Sequence, residues 1–196
     1  MTEQQRYEVV RMAAGFELRR YPAHLVAEVE VDGSFEGAGN AAFRPLVAYI
    51  RGQNGASRGL AMTAPVLQRR EDAVDTKDTD DTDDTAAALE TVTTQTSPGR
   101  YVVSFVMPQG STQESLPDPG DARVTIRAVP EELAAVARYS GRWTSTSYEQ
   151  QTSRLLRAVR DAGLETTGPP RFARFDPPWT PWFRRRNEVV VPLHEG

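Results

Sequence analysis

Residues 16–50 read FELRRYPAHLVAEVEVDGSFEGAGNAAFRPLVAYI, and the hydrophobic period changes once within this stretch. As far as Val31, apolar residues alternate with polar ones, which is typical of β-strands that bury one face. From Ser34 onward, the apolar residues recur at the spacing of one face of a helix. The stretch therefore predicts a strand pair followed by an amphipathic helix, with Ser34 or Asp32 as its N-terminal cap.

The predicted helix has a buried stripe and a defined end. Pro45 lies inside the pattern and predicts a kink or an irregular start, because proline lacks the N–H that an interior helical position donates. Residues 52–55, Gly-Gln-Asn-Gly, predict the end of the helix. The stripe is expected at Gly39, Phe43, Leu46, Val47 and Ile50.

The remainder of the chain repeats the order strand, strand, helix, strand, strand. Capping-box spacing from Thr146 to Glu149 predicts the start of the second helix, and Gly163 predicts its end. We therefore predict an internal duplication and an α+β fold, in which one curved or barrel-like, mostly antiparallel sheet carries a helix from each half. The further strands are expected at residues 59–70, 101–108, 121–129, 132–141, 171–178 and 187–193.

The composition excludes several classes of chemistry. The 196 residues include no cysteine and only two histidines, His24 and His194. Thiolate metal sites and cysteine nucleophiles are therefore excluded, and a catalytic triad would have to use one of these histidines. His24 alternates onto the glutamate-bearing face of its strand, where we expect a surface histidine. We predict neither catalytic nor metal-binding residues.

An acidic segment, residues 71–99, interrupts what we predict to be one domain of residues 1–196. It carries nine acidic side chains and one lysine, whereas the whole chain has a net charge of −4, so the rest is mildly basic. Like charges at this density repel and leave too little apolar surface to order the segment. It is predicted to be a mobile loop insertion between two strands.

The sequence also predicts the cellular location, the partners and the oligomeric state of the protein. The N-terminal MTEQQRYEVV has no apolar run of signal-peptide length, and no run approaches the roughly 20 residues that span a bilayer. We therefore expect a cytoplasmic protein without a membrane partner. The mildly basic body has no broad basic surface, so we expect no nucleic acid partner. A monomer is expected.

Several short strings occur together along the chain. They are Tyr49-Ile50-x-Gly52-x-Asn54, Met62-Thr63-Ala64-Pro65-Val66, Val103-Ser104-Phe105 followed by Pro108, Pro117-Asp118-Pro119, Asp176-Pro177-Pro178 and Arg185-Arg186-Asn187-Glu188-Val189. In this order and at these spacings, the chain resembles the SOUL haem-binding protein family from about Tyr7 to Val191, with the acidic segment as an insertion.

The resemblance implies a distorted β-barrel of two pseudo-repeated halves, flanked by two helices. It also implies non-covalent binding of haem or another porphyrin in a shallow apolar groove beside the first helix, by a carrier or buffer rather than an established enzyme. Some members are thought to hold the haem propionates with basic residues of that helix. This chain carries Asn40 and Ala48 there, and Arg20 where one branch has its proposed axial histidine.

The residues themselves suggest an apolar slot. Phe43 and Val47 of the helix stripe and Leu60 and Met62 of the next strand are candidates to face a tetrapyrrole ring. The same four residues would also suit a plain hydrophobic core, and this alternative stays open. The Met62 thioether is a candidate axial ligand, although methionine without a histidine partner is a weak sole anchor.

A second candidate cluster is residues 179–186, WTPWFRRR. Trp182 could cover the face of a planar ring, and the guanidinium groups of Arg184 and Arg185 suit carboxylates. Alternatively, an arginine of this run pairs with Glu188 and fixes the closing strand.

The function that these observations favour is haem or tetrapyrrole binding by a soluble carrier or buffer. Two alternatives stay open. One is a binding module for another small apolar molecule or a regulatory partner on the same scaffold. The other is a tetrapyrrole-modifying enzyme, for example one that removes the metal. Titration with haemin separates these possibilities, because each predicts a different change of the Soret band.

Overall fold

The computed structural model describes residues 2–71 and 99–194, which form an α+β fold. Most of the strands and both helices occur where the hydrophobic periodicity predicts them. The strands are β1 (Glu3–Gln4), β2 (Glu8–Ala13), β3 (Phe16–Tyr21), β4 (His24–Gly33), β5 (Thr63–Ala64), β6 (Val66–Arg70), β7 (Gly99–Val106), β8 (Thr125–Val129), β9 (Glu132–Tyr139), β10 (Arg171–Arg174) and β11 (Asn187–Leu193). The helices are α1 (Phe35–Ile50) and α2 (Ser145–Asp161), and a 3₁₀ turn covers Trp182–Arg184.

Nine strands form one antiparallel sheet in the order β2-β3-β9-β11-β10-β6-β7-β4-β8, while β1 and β5 form a short parallel pair. In the described part of the chain, β2 and β8 each pair on one side only, so the sheet is open and does not form the distorted β-barrel that the resemblance implies. The register of β2 against β3 shifts between Val9 and Arg11, and β2 is largely exposed. Such a bulge turns an edge strand away from further pairing. The predicted internal duplication stays a prediction.

Both helices cover one face of the sheet. Helix α1 packs on β4 and β7, and α2 packs on β9 and β11. Alternation places Phe172 of β10 and Val189 of β11 under the helices, whereas Ala173 and Val190 join a cluster on the opposite face. Each strand therefore supplies two apolar layers, as the period of two requires.

Helix α1 begins where the sequence predicts, because the Ser34 hydroxyl accepts a hydrogen bond from the Gly37 N–H at 3.1 Å. Pro45 lies in the interior of the helix rather than at an irregular start. The predicted stripe is partly wrong, since Phe43 is 42 % exposed. The face that packs on the sheet instead consists of Phe35, Ala38, Gly39, Ala42, Pro45, Leu46, Tyr49 and Ile50.

Helix α2 begins two residues earlier than the capping-box spacing predicts. Thr144, in an extended conformation, accepts a hydrogen bond from the Ser147 N–H at 3.3 Å, so Thr144 rather than Thr146 is the cap. The end of the helix is confirmed, because Gly163 follows it with a φ of +69°, a conformation that glycine adopts without a steric penalty.

The predicted loop insertion covers residues 71–99, of which residues 72–98 lie outside the described residues. Its two flanking strands are paired, with Arg70 opposite Tyr101. The Glu71 N–H donates to the Arg100 carbonyl at 2.9 Å. The segment therefore leaves and re-enters the sheet at neighbouring points.

Neither helix of residues 2–71 and 99–194 is long and apolar enough to cross a membrane.

Candidate functional site

A groove of about 330 Å³ lies beside helix α1, between the segment that contains β5 and the loop that follows β10. Its volume falls within the range of about 300–1,000 Å³ that is usual for small-molecule sites. The lining residues are Thr2, Gly39, Asn40, Phe43, Met62, Thr63, Ala64, Val66, Trp143, Arg174, Phe175, Asp176, Pro177, Pro178 and Trp179.

Phe43 and Met62 form an apolar side of the groove. Phe43 lies at the border of the buried face of α1, and its ring meets the ring of Phe105 edge-on, with 5.8 Å between the centroids. Met62, immediately before β5, is 38 % exposed. Large apolar side chains that stay open to solvent beside a concavity are typical of binding surfaces.

Another part of the lining is the loop that begins at Asp176. Pro177 and Pro178 have no N–H to offer a neighbouring strand, so pairing of β10 stops before them. The Asp176 carboxylate accepts a hydrogen bond from the Arg186 backbone N–H at 2.6 Å, which ties the loop to the start of β11. Beyond the prolines, Trp179 is 82 % exposed and extends the wall into solvent.

The cationic residue of the lining is Arg174, the last residue of β10. A guanidinium nitrogen donates to the Gln68 side-chain oxygen at 3.3 Å, and the buried Nε has no hydrogen-bond partner. Burial lowers the pKa of Arg174 to about 10, so the group stays protonated at neutral pH. A Cβ on Gly39 of α1 would lie 2.4 Å from this guanidinium, so the two elements approach closely only because residue 39 is glycine.

The profile of the SOUL heme-binding protein family matches residues 2–192, nearly the whole chain. The chain belongs to this family. Two of the strings that carry the resemblance, MTAPV and DPP, both contribute lining residues to the groove. No curated protein matches this SOUL-family chain by sequence.

Solved structures share the fold of this SOUL-family chain at low identity. The EcmrR C-terminal domain is 15 % identical with a TM-score of 0.62, and the match covers 97 % of this chain and 99 % of that one. A hydrolase from Listeria innocua is 12 % identical with a TM-score of 0.59 and 94 % coverage of both chains. SAV2435 bound to tetraphenylphosphonium is 9 % identical, with a TM-score of 0.51 and coverage of 92 % and 94 %.

The four residues proposed for the apolar slot of this SOUL-family chain separate into two pairs. Phe43 and Met62 line the groove. Val47 and Leu60 are half-buried against the core cluster between α1 and the sheet, and they are not lining residues. As tetrapyrrole contacts, all four remain predictions.

The three residues proposed from the WTPWFRRR segment are not among the lining residues of the groove. Trp182 is half-exposed beside Arg142, and the Arg184 guanidinium lies 5.8 Å from the centre of the Phe183 ring. Arg185 donates to the Thr180 carbonyl at 2.8 Å and to the Pro178 carbonyl at 2.5 Å. Arg185 therefore braces the loop that carries the two prolines.

The alternative role of the arginine run is confirmed for Arg186. Its guanidinium donates to Glu188, which also accepts two hydrogen bonds from Arg19 at 2.8 and 3.2 Å. Burial alone would lower the pKa of Arg19, but the hydrogen bond and the charge of Glu188 raise it overall. Sequence reasoning missed Arg19, because its partner is remote in the chain.

His24 shares the strand face of Glu28, as predicted, but it is partly buried rather than a surface residue. Its Nε2 lies 3.1 Å from the Gln5 side-chain nitrogen, and its Nδ1 lies 2.9 Å from the Pro22 carbonyl. Burial lowers the pKa of His24, a change that the hydrogen bond to Pro22 opposes only in part. His24 does not line the groove.

Sequence reasoning also missed Arg174. The signal that would have found it is the alternation of β10, in which Arg174 follows Phe172 by two residues and so shares its face. Phe172 is buried under the helices, hence Arg174 is directed toward α1 rather than away from it.

Proposed function

We propose that this chain binds haem or a related tetrapyrrole non-covalently in the groove beside α1, as a soluble carrier or buffer within a single domain. One observation carries the proposal. MTAPV and DPP, two strings by which the chain resembles the SOUL family, both line this one groove.

The walls suit a planar apolar ring. Phe43, Pro177 and Trp179 offer flat apolar surfaces, and aromatic faces favour offset contact with another π-system. Trp179 in particular exposes most of its surface, which a bound ring would cover. Burial of such surface favours binding by about 25 cal/mol for each Å² removed from water.

The lining residues include no histidine, so ring burial rather than iron coordination should supply most of the affinity. The Met62 thioether is the one soft donor among the lining residues that the structure describes, and thioethers alone bind ferric iron weakly. Metal-free protoporphyrin should therefore bind with an affinity close to that of haemin.

The test is a titration of the full chain with haemin and, separately, with protoporphyrin. The proposal requires saturable one-to-one binding of both rings, seen as a changed Soret band for haemin and as quenched tryptophan fluorescence for both. If haemin or protoporphyrin fails to bind saturably, the proposal is contradicted. Loss of the Soret band with release of iron over many turnovers would instead support the metal-removing enzyme.

A second candidate is a binding module for another small apolar molecule. The observation that favours it is the shared fold with a structure bound to tetraphenylphosphonium. Titration with this cation separates the two, because an arginine in the lining of the groove disfavours a cationic ligand. Tight binding of tetraphenylphosphonium without binding of either ring would favour the second candidate.

A further inference from the structure

We propose that the groove takes a ligand that bears a carboxylate, and that the guanidinium of Arg174 binds this carboxylate. The inference rests on the proposed function and adds to it the chemical class of the ligand and the point of its attachment. An amphipathic molecule with a flat apolar body and an acidic side chain fits this description.

The first observation that supports this inference concerns Arg174, which lines the groove. Its guanidinium has a hydrogen-bond donor without a partner among the described residues. Among the described residues, its one hydrogen bond runs from a terminal guanidinium nitrogen to the neutral amide of Gln68 at 3.3 Å, and its buried Nε has no partner. Within residues 2–71 and 99–194, no carboxylate lies within ion-pair distance of Arg174. Buried charges are usually paired, so a guanidinium in this state is suited to an incoming anion.

Three other arginines of the sheet region, unlike Arg174, are paired with carboxylates. Arg19 and Arg186 both donate to the buried Glu188. Arg171, on the same strand as Arg174, forms a two-point ion pair with Glu132. Arg174 is flanked by rings instead, with its guanidinium carbon 5.4 Å from the centre of Trp143. A ring can support a cation but cannot neutralise it.

The second observation that supports this inference is the glycine at position 39 of α1. Glycine is a poor residue for the interior of a helix, yet here its missing side chain makes room for the guanidinium of Arg174. A methyl group at this position would lie 2.4 Å from one guanidinium nitrogen and 2.5 Å from the other. The close approach places the cation against α1 in the lining of the groove.

Asp176 is the other ionisable residue among the described lining residues, and its carboxylate already has a partner. It accepts the Arg186 backbone N–H at 2.6 Å, on the side of the loop that faces β11. The charge of Asp176 is thus used to hold the loop, whereas the charge of Arg174 is available to a ligand.

The test compares mesoporphyrin, which has two carboxylates, with its dimethyl ester, which has the same ring and none. Both are titrated into the parent chain and into three variants: Arg174→Gln, Gly39→Ala and Arg184→Gln. Arg184→Gln is the matched control, because it removes an arginine outside the groove. Near-ultraviolet circular dichroism and thermal melting confirm that each variant is folded.

The parent should prefer the acid by about tenfold, the size of one charge-assisted hydrogen bond in a partly solvated site. Arg174→Gln should abolish this preference, because it weakens binding of the acid more than binding of the ester, and Arg184→Gln should retain it. Gly39→Ala keeps the charge but displaces the guanidinium, so it should also lose the preference.

The outcomes distinguish this inference from the proposed function. If both porphyrins bind and folded Arg174→Gln keeps the parent's preference for the acid, the inference is overturned and the proposed function stands. If neither porphyrin binds the parent, the proposed function fails and the inference fails with it. If Arg174→Gln does not fold, Gly39→Ala becomes the test of the inference. An unchanged preference for the acid in Gly39→Ala would then overturn it.

Discussion

The guanidinium of Arg19 donates two hydrogen bonds to the carboxylate of Glu188, at 2.8 and 3.2 Å, across strands that lie at opposite ends of the sequence. Both side chains are almost fully buried. Arg186 donates to the same carboxylate, so one buried acid neutralises two cations. Removing the acid would leave Arg186 without an ion-pair partner among the described residues, and Arg19 with only the partly exposed Glu17.

Glu188→Gln should therefore destabilise the fold by about 3–5 kcal/mol, the usual cost of breaking a buried ion pair from one side. Urea denaturation of the parent and the variant measures this difference. Glu131→Gln is the matched control, since its pair with Arg20 is a solvent-exposed contact at 3.7 Å. Such pairs contribute at most about 1 kcal/mol. Equal stability losses in the two variants would refute the structural role of Glu188.

The lowered pKa of His24 predicts a loss of stability on acidification. Because burial favours the neutral ring, the unfolded chain binds a proton more readily than the folded one below about pH 6.5. Stability from His24 is thus fully present above that pH and decreases as the pH falls toward the folded pKa.

Urea denaturation at pH 7.5 and at pH 5 measures this effect. The parent should lose more stability between the two values than His24→Gln does, whereas His194→Gln, at an exposed position, should behave like the parent. If His24→Gln and the parent respond equally to pH, His24 is not held neutral by its surroundings.

Phe43 should matter for binding more than for stability. Its ring is 42 % exposed and lines the groove, so Phe43→Ala should cost less than the 3–5 kcal/mol typical of a buried phenylalanine. Affinity for protoporphyrin should nonetheless fall by about tenfold, as expected when an aromatic contact is lost.

Phe183→Ala is the control for this experiment, because Phe183 is an exposed aromatic residue that does not line the groove. It should leave both the thermal midpoint and the affinity close to those of the parent. Equal losses of affinity for protoporphyrin in the two variants would contradict its binding in the groove beside Phe43.

Deletion of residues 72–98, with a two-residue Asn-Gly turn in their place, should leave the thermal midpoint nearly unchanged. Glu71 and Arg100 already form a backbone hydrogen bond, so a short turn can join the two strands. Loop length itself costs only about 0.6 kcal/mol for each doubling. A decrease of many degrees would mean that the acidic segment packs against the rest of the protein.

The sequence predicts local structure here better than it predicts long-range pairing. The change of period at Ser34 identifies both β4 and α1, because each depends on residues close in sequence. The open sheet was not predictable, since closure depends on whether β2 finds a partner far along the chain. The start of α2 was misplaced because Thr144 and Thr146 are equivalent in residue type and differ only in backbone conformation.

The same limit applies to the groove. Phe43 and Met62 could be proposed from the sequence because each belongs to a local pattern or string. Arg174 could not be proposed as the cation, because its position depends on close contact with Gly39 of a distant helix. Arg185 was a reasonable candidate for a ligand contact, yet carbonyl oxygens of its own loop occupy its donors.

The position of the bound ring can be measured most directly with the methionine methyl groups. Met62 lines the groove, whereas Met12 lies exposed on β2 and Met107 is buried beneath α1, both outside the lining. The chain labelled with ¹³C at its methionine methyl groups is titrated with metal-free protoporphyrin and followed by NMR. Our account predicts a large ring-current shift of the Met62 signal at saturation, with Met12 and Met107 nearly unmoved. An unmoved Met62 signal under saturating protoporphyrin would contradict it.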